Sequence, residues 1–431
     1  MKRIWMLLIT LVVIGVLGAC SEKQSKDGTS TEGTSSDSGD LTGEIVFNTM
    51  ELSPTFDDYI NGMIEAFEEE YPGAKVKWED VPAKEIERKT LTEASAGNMS
   101  DVVNLNPRFT KKLAGVDALL NMDEAADFKD RYPEGLWTSG AVDGTVYAVP
   151  WYFTSGGILY NTEILEEVGI ENPPTTVDEA WEMSEKIYDK TGAIAGGYTT
   201  TAWQDLWILF PTMGIDLIAE DGSSAAFNTP EAVELLKERK EYFDKGLIPE
   251  DLLLDGSLAK EWYVEGKLAW WVSGPQLYRQ VNDLSPEMYE KSAAAPGIVG
   301  SEGTLYSAIQ NLVVSNQSEN KELAVEFVEF ITNVDNQLEF SKLVPILPGN
   351  KEAADNELFQ SGEDSDDPEE KGLYYSAIDI EKAIDMSPPI AEANQINEIL
   401  NETYVEVLIN DKDPQEALND AEKQVNDLLK E

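Results

Sequence analysis

Residues 44–105 read EIVFNTMELSPTFDDYINGMIEAFEEEYPGAKVKWEDVPAKEIERKTLTEASAGNMSDVVNL. Ile45-Val46-Phe47 is a short apolar run, as in a strand buried on both faces. Between Thr55 and Tyr71 the spacing changes: Phe56, Tyr59, Ile60, Met63, Ile64 and Phe67 recur at helical intervals, and Pro72-Gly73 stops them. Lys75-Val76-Lys77-Trp78-Glu79 then alternates like a half-exposed strand. Glu85 to Ala96 reads as a second helix, and Asp101-Val102-Val103-Asn104-Leu105 as the next strand. Strand and helix therefore take turns, the pattern of an α/β protein.

The alternation continues downstream. Thr176 with Glu179 three residues later predicts a capped helix start after Pro173-Pro174, with Gly192 closing that helix. Thr229-Pro230 predicts another start and Gly246 its end. Lys267 to Val272 and Ile309 to Val314 read as interior strands. Leu323, Ala324, Phe327, Phe330 and Ile331 share one face of a helix over 319–332. The acidic text from Ser361 to Glu370 reads as a solvated surface loop, and its spacing matches no calcium loop.

Composition narrows the chemistry. The 431 residues carry 82 Asp plus Glu against 32 Lys plus Arg, a formal net charge of −50. Such a surface repels phosphate backbones and anionic headgroups, so neither nucleic acid nor a membrane surface is an expected partner. Histidine is absent, which removes the commonest general base and metal ligand together. The single cysteine, Cys20, allows neither an intrachain disulfide nor a cysteine metal site. No cofactor and no metal are expected.

That cysteine has a different context. Lys2-Arg3 precedes a nearly unbroken apolar run from Ile4 to Leu17, too short for a spanning helix of about 20 residues. Leu17-Gly18-Ala19-Cys20 follows and resembles a bacterial lipobox, in which Cys20 is lipidated and becomes the mature N-terminus. Ser21 to Asp40, rich in Ser, Thr, Gly and Asp, reads as a flexible tether. The expected order is signal peptide at 1–19, lipidated Cys20 and tether over 20–40, then a globular body held by lipid at the outer face of a bacterial membrane.

Six ordered blocks in that body resemble the extracellular solute-binding proteins of the maltose-binding, family 1 type. They begin with Ile45-Val46-Phe47 and the helix running into Phe67-Glu68-Glu69-Glu70-Tyr71-Pro72-Gly73. Ala96-Gly97-Asn98-Met99-Ser100-Asp101-Val102-Val103 comes second, with Ser100 where the family usually has proline. The third and most specific is Tyr147-Ala148-Val149-Pro150, then Leu159-Tyr160-Asn161, Val168-Gly169-Ile170 and Pro173-Pro174-Thr175-Thr176. Val264-Glu265-Gly266-Lys267-Leu268-Ala269 with Gly274-Pro275 is fourth; Gln276 stands there where the family often has an aromatic. Glu322-Leu323-Ala324 to Phe330 and Asp413-Pro414-Gln415-Glu416-Ala417-Leu418 complete the set.

The resemblance implies a two-lobed α/β fold of the type II periplasmic-binding-protein kind, with ligand bound between the lobes. Lobe 1 would comprise 41–152 plus 300–346 and lobe 2 153–299 plus 347–431, with crossings near 152–156, 295–304 and 345–350. It also implies a non-catalytic, monomeric capture protein that delivers its ligand to the permease subunits of an ABC importer and, through them, to a cytoplasmic ATPase.

Ten Trp and sixteen Tyr suggest that the ligand is a carbohydrate, because flat aromatic rings cover the C–H faces of sugars. Trp151 and Tyr152 follow the Tyr-Ala-Val-Pro segment; Trp203, Trp207 and Trp271 are further candidate platforms, and Tyr306 another. Glu51, Asn106, Arg108 and Asp205 are the polar candidates for hydroxyl recognition. Each has a plainer reading as core, helix cap or surface ion pair. The rival functions are the same transport role for a polyamine, peptide or compatible solute, and a lipid-anchored glycoside hydrolase using two carboxylates.

Overall fold

The computed structural model describes residues 41–195 and 206–430. Its strands are β1 Thr42–Met50, β2 Gly73–Val81, β3 Val102–Leu105, β4 Ala141–Val142, β5 Thr145–Val146 and β6 Val149–Ser155. The remainder are β7 Gly157–Asn161, β8 Trp270–Ser273, β9 Ser292–Ala295, β10 Leu305–Val314, β11 Leu347–Pro348 and β12 Ala383–Ile384. The opening helices are α1 Asp57–Glu70, α2 Ala83–Ala96 and α3 Pro107–Ala114.

The larger sheet runs β11-β6-β10-β3-β1-β2, with β12 beside the start of β10. β1 pairs in parallel with both β2 and β3, whereas β10 is antiparallel to β3 and β6. Crossover helices cover both faces. From α1, Ile60, Met63, Ile64 and Phe67 pack with Ile45, Phe47 and Phe327. From α2, Ile86 and Ala94 pack on the other face with Val103, Leu105 and Val313. Strands buried on both sides need apolar residues at successive positions, which is why β1 and β3 read as continuous runs.

The smaller sheet, β8-β7-β9, is antiparallel. The chain enters it from β6 through Gly156 and returns to the larger sheet between β9 and β10. One face carries Ile158, Trp270 and Val272 against the helices Leu206–Thr212, Ala393–Leu408 and Pro414–Leu428. Its other face carries Leu159 and Trp271 against Tyr263 and Tyr278.

The capping signals act as their chemistry requires. The Glu179 N–H donates to Thr176 Oγ1 at 3.3 Å, and the Glu179 carboxylate accepts from the Thr175 N–H and hydroxyl at 2.8 Å. Thr229 accepts from the Ala232 N–H at 3.2 Å. The 361–370 stretch differs from its reading as a loop. It holds a short 3-10 turn, Ser361–Asp364, and the first turn of the helix Pro368–Ile378. Asp367 caps that helix, accepting from the Glu369 and Glu370 N–H groups, with Pro368 at its first position.

Candidate functional site

In an open α/β sheet, ligands bind beyond the carboxyl ends of the strands, where crossovers leave on opposite sides. β1 is that strand here, since α1 and α2 cover opposite faces around it. Its end delivers Glu51, which is exposed and holds φ at +53°, in the left-handed region that non-glycine residues seldom adopt. The turn is fixed by Asp80, whose carboxylate accepts the Leu52 N–H at 2.9 Å and the Ser53 N–H at 3.2 Å.

The end of β3 delivers Asn106 and Arg108. Asn106 is the N-cap of α3, accepting from the Phe109 N–H at 2.9 Å while its amide donates to Glu87 at 3.1 Å. Both ends of that side chain are engaged, so it serves as a cap. Phe109, Leu113 and Ala114 turn into the core, which leaves Arg108 partly exposed.

Three of the sequence candidates meet here. The Arg108 guanidinium carbon lies 5.5 Å from the centroid of the Trp207 ring. Trp207 in turn meets Tyr306 edge-on, with centroids 5.7 Å apart and planes at 85°. They come from three distant segments: α3, the helix Leu206–Thr212, and the part of β10 that extends past the end of β3. Cation–π contacts of this kind contribute about 0.5–2 kcal/mol, more as they are desolvated.

One turn along α3, Lys111 is buried and holds the chain that leads into the Ala393–Leu408 helix. Its ammonium donates to Asp385 Oδ2 at 2.5 Å, Ser387 Oγ at 2.9 Å and the Ser387 carbonyl at 3.0 Å. The side chains of the ion pair are only 2% and 6% exposed. The helix that carries Arg108 is thus tied to the 385–387 segment by a buried polar cluster.

Three candidate platforms, Trp151, Tyr152 and Trp271, pack into cores instead. Trp151 is fully buried; its ring centroid is 5.4 Å from Phe340 and 6.2 Å from Phe47. The strand containing it continues to Ser155, so Trp151 is not on a loop at a strand end. Pairing moves from Pro150–Asn311 to Tyr152–Gln310, which makes Trp151 the extra residue of a β-bulge. Tyr152 therefore also packs towards this core, 5.4 Å from Phe340, and burial pushes its phenol pKa up. Trp271 is 9% exposed and packs near Tyr263 at 6.4 Å, because β8 is covered on both faces. Trp203, Asp205 and Cys20 lie outside the described residues.

The sequence reading missed Asn397. It is 1% exposed, and neither its Nδ2 nor its Oδ1 has a hydrogen-bond partner within the protein. One turn later on the same helix, Asn401 Oδ1 accepts the Leu206 N–H at 3.2 Å. Asn397 therefore lies on the helix face turned towards the helix that carries Trp207. A buried amide with donor and acceptor both uncommitted suits a hydroxyl, which can serve as either. The detectable signal was Asn at two positions four apart within an apolar stripe that includes Ile396 and Leu400.

Among the described residues there is no group of three or more His, Cys, Asp or Glu placed to hold a metal ion. No described helix is long and apolar enough to cross a membrane. The site offers the half-buried Tyr306 ring, a guanidinium and the uncommitted amide of Asn397, with Trp207 only 4% exposed beside them, a set suited to holding a polar ligand.

The chain is similar to known binding proteins. Residues 62–368 match the family model described as bacterial extracellular solute-binding protein. A Brucella abortus protein described as a binding protein is 26% identical over 400 residues, covering 90% of this chain and 94% of its own. The arabinooligosaccharide-binding protein of Halalkalibacterium halodurans is 24% identical over 393 residues, covering 85% and 86%. Among solved structures, a Synechococcus protein described as an oligosaccharide periplasmic-binding protein superposes with a TM-score of 0.78 at 26% identity, covering 90% of this chain and 99% of that one. The architecture is the two-lobed one of periplasmic sugar-binding proteins. With well over half its length matched, the chain belongs to the bacterial extracellular solute-binding protein family.

Proposed function

We propose that this protein captures a carbohydrate, an oligosaccharide in particular, and presents it to the permease of an ABC importer without transforming it. The observation that carries the reading is the convergence of Arg108, Trp207 and Tyr306, with the uncommitted amide of Asn397 on a neighbouring helix. The half-buried Tyr306 ring can cover the apolar face of a sugar, with Trp207, itself only 4% exposed, meeting it edge-on, while the guanidinium and amide bond the hydroxyls. Relatives named for oligosaccharide binding support the ligand class. Glu51, Trp203 and Asp205 are also proposed as ligand contacts.

The lobes, in the proposal, meet across crossings near 152–156, 295–304 and 345–350 and close on the ligand by hinge motion. Cys20 carries the lipid that keeps the protein at the outer face of the membrane, with 21–40 as tether. Arg108→Ala tests the site. It should weaken carbohydrate binding by about tenfold, equivalent to about 1.4 kcal/mol, with the thermal midpoint of the free protein little changed. Isothermal titration would show it, and unchanged affinity would remove this group from the site.

A further inference from the structure

A second feature lies on the same edge of the larger sheet, one strand further out. Glu51, Ser53, Trp78, Asp80 and Pro82 line a recess of about 500 Å³ at the carboxyl ends of β1 and β2. That volume falls within the range of small-molecule sites, roughly 300–1,000 Å³. We propose that this recess is an outer carbohydrate subsite, in which Trp78 carries one ring of an oligosaccharide whose remainder lies at the Arg108 group. The proposal rests on the carbohydrate reading above and adds to it a site and a preference for chain length.

Trp78 is half-buried, packing in part against the core around Phe47 and lining the recess with the rest of its surface. Its polar tip is already committed: Nε1 donates to Thr49 Oγ1 at 2.7 Å, and Thr49 Oγ1 donates to Asp80 Oδ1 at 2.7 Å. The indole is thereby held before any ligand arrives, which lowers the ordering entropy of binding. An apolar surface fixed by its polar edge is what the C–H face of a pyranose requires.

The polar part of the recess can serve the hydroxyls of a sugar. Asp80 accepts from Thr49, Leu52 and Ser53, so its oxygens are occupied in shaping the turn. Glu51 is the carboxylate left free of the turn, beside the Ser53 hydroxyl, while Asp80 keeps its negative charge in the lining. Carboxylate oxygens and a hydroxyl next to an indole supply the acceptors, donor and apolar face that a sugar ring uses. Glu51 also sits at φ +53°, a conformation that costs energy and is kept here by the bonds Asp80 makes to the turn.

The test is calorimetric titration of wild type, Trp78→Ala, Trp78→Phe and Glu51→Gln with gluco-, arabino- and chito-oligosaccharides, from disaccharide upwards. In the series that binds, Trp78→Ala should weaken the longer oligomers by about tenfold and leave the shortest bound member within about twofold. Trp78→Phe, which keeps a ring but loses the bond to Thr49, should retain most of the long-chain affinity. Glu51→Gln should also act on the longer members alone. Circular dichroism establishes that each variant is folded; if Trp78→Ala fails to fold, the Glu51→Gln length profile decides. Equal losses at every length, no loss at any, or a wild type indifferent to length would overturn the subsite while leaving carbohydrate capture intact. A wild type that binds no oligosaccharide at all overturns the carbohydrate reading and the subsite with it.

Discussion

Trp151→Ala lowers folding stability by about 3–5 kcal/mol, the usual cost of emptying a fully buried aromatic site. The indole is 0% exposed and packs between Phe47, Phe340 and Tyr152, in the core on one face of the larger sheet. Removing it leaves a cavity bounded by rings held from several elements, so collapse around the gap is limited. Denaturant titration followed by tyrosine and tryptophan fluorescence would measure the loss. A variant with unchanged midpoint and weakened sugar binding would return Trp151 to the ligand site and contradict its placement in the core.

Lys111→Met has an effect of similar size for a different reason. The ammonium is the buried partner of Asp385, and methionine can replace its volume but not its charge. Losing one member of a buried ion pair leaves the other uncompensated and costs about 3–5 kcal/mol. The double change Lys111→Met with Asp385→Leu should recover most of that loss, because a matched apolar pair avoids the desolvation penalty. Ser387, which also donates its hydroxyl to Asp385, limits how complete the recovery can be. Denaturation midpoints of the two single variants and the double variant form the cycle. A single variant as stable as wild type would mean that the cluster does not brace α3 against the 385–387 segment.

The fold was legible where one period ruled a segment. β1, α1, β2, α2 and β3 follow from the switch between continuous apolar runs and helical spacing, and Thr176 and Thr229 mark helix starts through bonds that are local in sequence. Trp151 was not legible, because a bulge adds a residue to the strand without altering its composition. Trp271 failed for a related reason: alternation separates the two faces of β8 but does not say that both are covered. The helix from Pro368 was hidden by acidic text, although Asp367-Pro368 carried a readable cap.

The site divides along the same line. Arg108, Trp207 and Tyr306 could be named one at a time from residue type and position. Their meeting depends on contacts between segments about a hundred residues apart, which no local pattern encodes. Asn397 belongs to no motif, and its significance lies in a hydrogen-bonding balance that exists only in the folded chain.

Carbohydrate capture is tested most directly by a thermal-shift titration of the mature protein against a panel of mono- and oligosaccharides, with chromatography of the recovered ligand. A bound sugar at about 100 times its dissociation constant should add about 2.7 kcal/mol of apparent stability and be recovered intact. No shift with any sugar, together with a shift from a polyamine, peptide or compatible solute, would contradict carbohydrate capture, and a cleaved sugar would contradict a purely binding role.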